Sequence, residues 1–171
     1  MKPAALMLIV ALGLAGLTAS RVRVWHDELT LWTDATQKAP LRPRPWVNLG
    51  RAQQLTGDLF AANQSYHRAI ALSFDPRRQR GASLYAELAA ETDLASLMLE
   101  QGNLVGAQRE IDLVLRNSEW PLFPYAVFQS GILDALQGRC ELALLKWRAA
   151  SAAEGTLHVP PLPKTCPGAS S

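Results

Sequence analysis

The sequence is poor in the residues that build metal and catalytic centres. It holds only two cysteines among 171 residues, and its three histidines, His26, His67 and His158, are scattered. There is no Cys-x-x-Cys pair, which argues against a zinc site. A Gly-x-Ser-x-Gly motif, a His-Glu-x-x-His motif and a glycine-rich phosphate loop are also missing. We therefore expect no catalytic residue, no metal and no cofactor, and we predict that the chain is not an enzyme.

A concentrated positive charge is also lacking. The formal net charge is +2 and the isoelectric point is near 8.7, whereas nucleic-acid binders usually carry a dense basic face. Hydrophobic residues make up 49% of the chain, which is ordinary for a folded protein and argues against disorder. Two carboxylate pairs, Asp27-Glu28 and Glu87/Glu91, are expected on solvated helix faces. The low net charge therefore predicts that nucleic acid is not a partner.

Low-complexity sequence is absent, and only the tail at residues 156–171 departs from a helical composition. This tail contains four prolines, Pro160, Pro161, Pro163 and Pro167. Proline removes a backbone donor and breaks helices, so the tail is predicted to be extended coil. Cys140 and Cys166 could form one disulfide that ties the tail to the body, or they could stay free thiols. The redox compartment decides between the two.

An uncharged apolar run extends from Pro3 to Ala19. A membrane-spanning helix needs about 20 apolar residues, with a lower limit of roughly 17, so residues 1–20 are predicted to be a membrane anchor. A secretory signal peptide cleaved near Ser20 is the alternative. Leu17 matches the small residue of a cleavage site poorly, and the chain continues at once into a helical pattern. Both observations favour the anchor.

Residues 21–155 carry an internal repeat. Its clearest copy spans residues 43–76, with characteristic positions at Trp46, Leu49, Gly50, Gly57, Ala62, Tyr66 and Ala69. Gln53 replaces the usual Tyr, and the closing proline, Pro76, falls two places late. The pattern resembles the tetratricopeptide repeat (TPR), a 34-residue helix hairpin. The resemblance implies that Gly50 and Ala62 face each other where the helices cross.

The repeat recurs when the sequence is aligned on the turn glycine, where a left-handed conformation is commonly needed. The positions that recur are Gly102 with Ala107, and Gly138 with Ala143, Trp147 and Gly131. The copies are predicted at about residues 82–118 and 122–154. The interval from Gly57 to Gly102 is 45 residues, which is about 11 residues longer than one repeat. The first helix of the second copy is therefore predicted to be long, ending near Glu100.

A half-repeat at residues 24–41 precedes these copies, and Val24 to Gln37 is predicted to form its helix, into which the apolar segment runs directly. The predicted fold is all-α. An N-terminal apolar helix is followed by an α-solenoid of about three TPR hairpins and a coil tail.

Residues 21–50 show a narrower resemblance. The matching positions are Arg21, Trp25, Asp27, Leu31, Trp32 and Pro40. They resemble the junction in polytopic membrane O-mannosyltransferase-like proteins, where the last membrane helix leads into TPRs outside the cytoplasm. Glycosyl transfer in that family belongs to a preceding multi-helix region, for which the single apolar segment leaves no room. The resemblance implies a similar architecture and a periplasmic or lumenal repeat domain, and it gives no ground for transferase activity.

The sequence thus predicts a membrane-tethered TPR scaffold that binds a protein or peptide. The groove of such a stack is lined mainly by first-helix residues. The candidates are Arg44, Val47, Arg51, Gln54, Thr92, Ser96, Leu99, Tyr125, Phe128 and Ile132. A groove that is basic at one end and apolar at the other suits a peptide with an acidic residue and an apolar anchor. Alternatively, these residues only solubilise the surface.

Two further hypotheses stay open from the sequence. The chain could be the detached repeat module of a membrane glycosyltransferase system, or an exported soluble TPR protein after signal cleavage.

Overall fold

The computed structural model describes residues 3–74, 80–117, 123–164 and 166. Residues 76, 118 and 122, at which predicted repeats end or begin, therefore lie outside the described residues. All regular structure in these ranges is helical, which confirms the all-α prediction. The helices are α1 (Pro3–Val24), α2 (Glu28–Lys38), α3 (Pro43–Leu55), α4 (Leu59–Ser73), α5 (Arg80–Glu100), α6 (Leu104–Leu115), α7 (Phe123–Leu136) and α8 (Cys140–Ala153).

The apolar segment forms α1, which among the described helices contacts only α2. Thr18 donates its hydroxyl to the Leu14 carbonyl at 2.9 Å, so this polar group is satisfied within the helix. Judged on the part of the chain that the structure describes, no helix is both long enough and apolar enough to cross a membrane.

Helix α1 ends at Val24 and α2 begins only at Glu28, so the prediction that the first soluble helix begins at Val24 is wrong. Asp27 adopts an extended conformation and accepts a hydrogen bond from the Thr30 backbone N–H at 2.7 Å. This is N-cap geometry, which starts a new helix at Glu28. Lys38, at the other end of α2, pairs with Asp34 at 2.7 Å. The negative charge of Asp27 at the start of α2 and the positive charge of Lys38 at its end both suit the helix dipole.

Three turns join the helices into hairpins, and all three have the same geometry. Their glycines have positive φ, at 85° in Gly57, 72° in Gly102 and 78° in Gly138. The residue after each glycine donates its N–H to a carbonyl five positions back, at 2.8–2.9 Å. This is the Schellman pattern, which needs a left-handed residue at that position. The turn positions predicted from the sequence are confirmed.

The helices contact each other in a regular order. Each of α3 to α7 packs against the helix that follows it in the chain, and α3, α5 and α7 also contact each other in succession. Helix α5 therefore has neighbours on several sides, because it touches α3, α4, α6 and α7. This central position explains why residues from Ala86 to Met98 are mostly buried.

Small residues and large side chains alternate in the core. The alanines at the fifth position after each turn glycine, Ala62, Ala107 and Ala143, are fully buried. The space around Gly50 is filled by Tyr66, since a β-carbon on Gly50 would lie 2.5 Å from the Tyr66 Cε1 atom. Gly50 therefore accommodates the Tyr66 ring. Close packing of this kind leaves no room for extra atoms.

The tail runs back over the last hairpin. Leu162 packs against the cluster of Ala135, Ala143 and Trp147, and Cys166 forms a disulfide with Cys140, with the Cα atoms 5.8 Å apart. The coil conformation after α8 agrees with the proline content. The tail thus covers apolar surface at the end of the last helix pair.

Candidate functional site

A pocket of about 450 Å³ opens between α3, α5 and α7. Its size is typical of sites that take a small molecule or a side chain. The residues that line it are Arg51, Gln54, Leu55, Asp93, Ser96, Glu100 and Tyr125. Four of these, Arg51, Gln54, Ser96 and Tyr125, are predicted groove residues. The first helices of the three hairpins thus bring them to one place.

An ion pair forms one wall of the pocket. Arg51 Nε on α3 donates to Asp93 Oδ2 on α5 at 2.5 Å. Burial raises the pKa of Asp93 to about 6, and the Arg51 guanidinium opposes that rise. A buried carboxylate is costly unless it is well paired, so Arg51 compensates Asp93 only in part.

Two hydrogen bonds in series orient the side chains of Gln54 and Glu100 in the pocket. Buried Tyr66 donates its hydroxyl to Gln54 Oε1 at 2.8 Å, and Gln54 Nε2 donates to Glu100 Oε1 at 2.7 Å. Because Tyr66 occupies the amide oxygen, the amide nitrogen is directed at Glu100. Burial also raises the pKa of Tyr66, so its hydroxyl keeps the proton that it donates.

Tyr125 on α7 supplies an aromatic wall. The residue is 38% exposed, so its ring is accessible from the pocket. Burial of the hydroxyl raises the pKa of Tyr125, and the nearby Asp93 carboxylate adds to the rise. The phenol therefore stays neutral and offers both a π face and a hydrogen-bonding group.

The remaining predicted groove residues lie elsewhere. Val47 and Thr92 are core residues, 3% and 1% exposed, and the Thr92 hydroxyl donates to the Leu88 carbonyl of its own helix. Leu99, Phe128 and Ile132 are partly buried against core clusters. Arg44 is exposed and outside the pocket lining. Because α3, α4, α6 and α7 all contact α5, they bury positions of α5 that the sequence predicts to be exposed in a groove.

Sequence reasoning missed the two acidic residues, Asp93 and Glu100. They share a helix face with Ser96 at spacings of three and four residues, which is the signal that was available. The predicted stripe on α5, through Thr92 and Leu99, is one position away from the stripe that faces the pocket. As a result, the groove was predicted to be basic at this end, whereas its lining has two carboxylates for one guanidinium.

Carboxylates elsewhere also depart from the sequence prediction. Glu91 was expected on a solvated face, yet it is 5% exposed, as is Glu110 on the neighbouring helix α6. Burial raises the pKa of Glu91 to about 8, and the hydrogen bond to Glu110 and its charge add to the rise. Burial alone would raise the pKa of Glu110. Hydrogen bonds from Glu91 and Arg109 outweigh that effect, so the pKa of Glu110 is lowered overall. Glu91 is therefore the protonated partner of the pair.

Asp134 is a third buried carboxylate, on α7. It accepts from Arg139 Nε at 2.8 Å and pairs with Lys146 Nζ on α8 at 2.6 Å. Lys146 also donates to the Ser130 hydroxyl. These contacts join α7, the turn and α8, so this group stabilises the last hairpin.

Within the described residues, no group of three or more His, Cys, Asp or Glu side chains is placed to hold a metal ion. Comparisons with protein families, with curated proteins and with solved structures find no match to this chain.

Proposed function

We propose that α3 to α8 form three TPR-type hairpins of an α-solenoid, and that this solenoid is a scaffold that binds a protein partner. The observation that carries the proposal is the repetition of one hairpin design. Each hairpin has a left-handed turn glycine, then a fully buried alanine five positions later. Four positions further lies a large buried residue, which is Tyr66, Ile111 or Trp147.

The order of helix contacts supports the same proposal. In a repeat stack each unit packs on its neighbours, and the first helices line one extended surface. Here α4 contacts α5 and α6 contacts α7, while α3, α5 and α7 touch in succession. The pocket lies on that succession of first helices. We assign binding to this surface and no catalysis to the chain, because Arg51 and Asp93 are occupied with each other.

Site-specific photo-crosslinking tests the scaffold. A photoreactive phenylalanine analogue at Ser96, in the pocket, should capture a discrete partner from membranes of the native host. The same analogue at Gln64, exposed on α4, is the matched control and should capture none. Equal capture from both positions, or none from Ser96, would contradict binding at this surface. Glycosyl transfer by the purified chain would contradict the absence of catalysis.

We also propose that α1 tethers the chain to a membrane. Its large apolar side chains in exposed positions include Met7, Ile9, Val10, Leu12, Leu14 and Leu17. Leaving apolar surface exposed to water costs about 25 cal/mol of free energy per Å². The Cys140–Cys166 disulfide supports a repeat domain in an oxidising compartment, outside the cytoplasm.

Fractionation of the native chain tests the tether, with a variant lacking residues 3–19 as the control. The full chain should sediment with membranes and the variant should stay in the supernatant. Resistance to alkaline carbonate would indicate a spanning helix, and release would indicate a peripheral one. A mature protein that starts near Ser20 by mass spectrometry, with no membrane association, would favour the exported soluble protein instead.

A further inference from the structure

The pocket between α3, α5 and α7 carries an excess of negative charge. Its lining has one cation, Arg51, and two carboxylates, Asp93 and Glu100. Arg51 is already engaged with Asp93 at 2.5 Å. Glu100 accepts from the neutral Gln54 amide, and this contact leaves its charge uncompensated. The formal charge of the described lining residues is therefore −1.

Arg51 offsets only part of the cost of burying the Asp93 carboxylate. Asp93 is deep in the pocket, and its pKa stays raised, at about 6, even beside Arg51. A second cation near Asp93 would favour the ionised form and offset part of the burial cost. An anion would have the opposite effect, because like charges in a partly desolvated site repel each other.

The aromatic wall has the same preference. The Tyr125 ring is partly exposed beside the two carboxylates. The face of an aromatic ring attracts guanidinium and ammonium groups. Carboxylates and a ring around a side-chain-sized cavity form a site for a cationic side chain, in which the stem lies along Leu55 and the ring while the charge meets Glu100.

We propose that this pocket binds an arginine or lysine side chain of the partner's peptide segment. The inference rests on the proposed scaffold function and names the chemistry that the scaffold recognises. It reverses the preference for an acidic residue that the sequence predicts. The reason is that Arg51, the only basic group among the described residues of the lining, is paired with Asp93 of the same pocket.

Four peptide sets test the inference on the full-length protein in detergent micelles. Each set is a labelled decapeptide pool of Ala, Leu and Ser with one central residue, either Arg, Lys, Gln or Glu, and binding is measured by fluorescence anisotropy. The Arg and Lys sets should bind about 10-fold tighter than the Glu set, as expected for a charge-assisted hydrogen bond. The difference should shrink as salt is raised. Nα-acetyl-arginine amide as competitor separates recognition of the side chain from recognition of the peptide backbone.

Variants locate the effect. Glu100→Gln keeps an acceptor for Gln54 but removes the charge, so it should abolish most of the preference for Arg and Lys. Glu100→Lys should invert the preference towards the Glu set. Tyr125→Leu should weaken the Arg set about threefold. Glu141→Gln, an exposed residue on α8, is the matched control and should change nothing, and circular dichroism checks that every variant is folded.

The outcomes separate the two proposals. Preferential binding of the Gln or Glu set, or a preference for Arg that survives Glu100→Gln in a folded protein, overturns the cationic specificity and leaves the scaffold standing. Failure of all four sets to bind overturns the scaffold together with the specificity.

Discussion

Two glycines, Gly50 and Gly131, occupy the same position in different hairpins, seven residues before the turn glycine. A β-carbon on Gly50 would lie 2.5 Å from Tyr66, and one on Gly131 would lie 2.7 Å from Trp147. The middle hairpin has Ala95 at this position, and there the smaller Ile111 joins the same cluster. The size of the side chain on the second helix thus sets the size allowed on the first.

This pairing predicts that Gly50→Ala is destabilising, although alanine is the better helix former. Overpacking costs about 1–3 kcal/mol, and helix propensity returns about 1 kcal/mol. The net loss in the free energy of unfolding should be up to about 2 kcal/mol, measured by urea denaturation. Gly155→Ala has nothing within 4 Å and should change the stability by less than about 0.5 kcal/mol. Equal effects of the two substitutions would refute the close approach.

The buried Glu91–Glu110 pair makes stability depend on pH. The pKa of Glu91 is about 8 in the folded state against 4.5 as the unperturbed value, so the folded state holds this proton more tightly. Its contribution to stability is fully present below pH 4.5 and is lost as pH rises through about 8. The charged or titratable groups around the pair are Glu87 on α5, Arg109 on α6 and His67 on α4.

We therefore expect the free energy of unfolding to fall between pH 6.5 and pH 8.5, with a slope of at most about 1.4 kcal/mol per pH unit. Glu91→Gln mimics the protonated form, because its amide can donate to Glu110, and should flatten this dependence. Glu141→Gln should keep it. Asp93 titrates near pH 6, so this interval separates Glu91 from it. A slope that is unchanged in Glu91→Gln would assign the dependence to another group.

At the scale of elements, the hairpins depend on local chain chemistry. The turn glycines adopt a conformation that is costly for other residues. Asp58 and Asn103, which follow two of them, cap the next helix by accepting from N–H groups at 3.0 Å. Arg139, at the third turn, forms no cap and instead pairs with Asp134. The third turn thus relies on a tertiary ion pair where the others use a cap.

Gly102→Ala should cost about 1–2 kcal/mol, because alanine pays for the left-handed conformation at a φ of 72°. Gly102→Asn should cost less, since asparagine tolerates that region better. Thermal unfolding followed by circular dichroism measures both. A rank order with alanine less costly than asparagine would argue against a left-handed turn here.

At the scale of the whole molecule, the disulfide and the tail close the last hairpin. Cys140 at the start of α8 is joined across 26 residues to Cys166, and this bond holds Leu162 against the Trp147 cluster. The opposite end of the chain is different, because α1 contacts only α2 among the described helices. One end is therefore capped covalently, and the other presents an apolar helix.

Removal of the disulfide should destabilise the protein by about 3.5 kcal/mol through the loop entropy of the unfolded chain. The variant with Cys140→Ser and Cys166→Ser should show this loss in urea denaturation, and dithiothreitol should produce a similar loss in the native chain but none in the variant. Coincident transitions for the native chain with and without reductant would show that the bond contributes nothing.

The sequence anticipated much of this fold and four of the seven described residues that line the pocket. The long helix that ends at Glu100 and the three glycine turns follow from spacing and residue type. The start of α2 differs from the prediction because Asp27 is the N-cap of a new helix, whereas the sequence pattern predicts one helix that runs on from Val24. The acidic residues of the pocket, Asp93 and Glu100, were missed because the predicted stripe through Thr92 and Leu99 lies one residue away on α5.

Periodicity and turn conformation are short-range properties, so the sequence by itself determined where the three hairpins turn and where the long helix α5 ends. Only the tertiary structure decided the fate of the carboxylates on α5. Glu91, Asp93 and Glu100 are alike as residues, yet Glu91 is hydrogen-bonded to Glu110 in the core, Asp93 pairs with Arg51, and Glu100 lines the pocket beside Gln54. Their electrostatics depend on which of four neighbouring helices each one meets, and that is set by packing over the whole molecule.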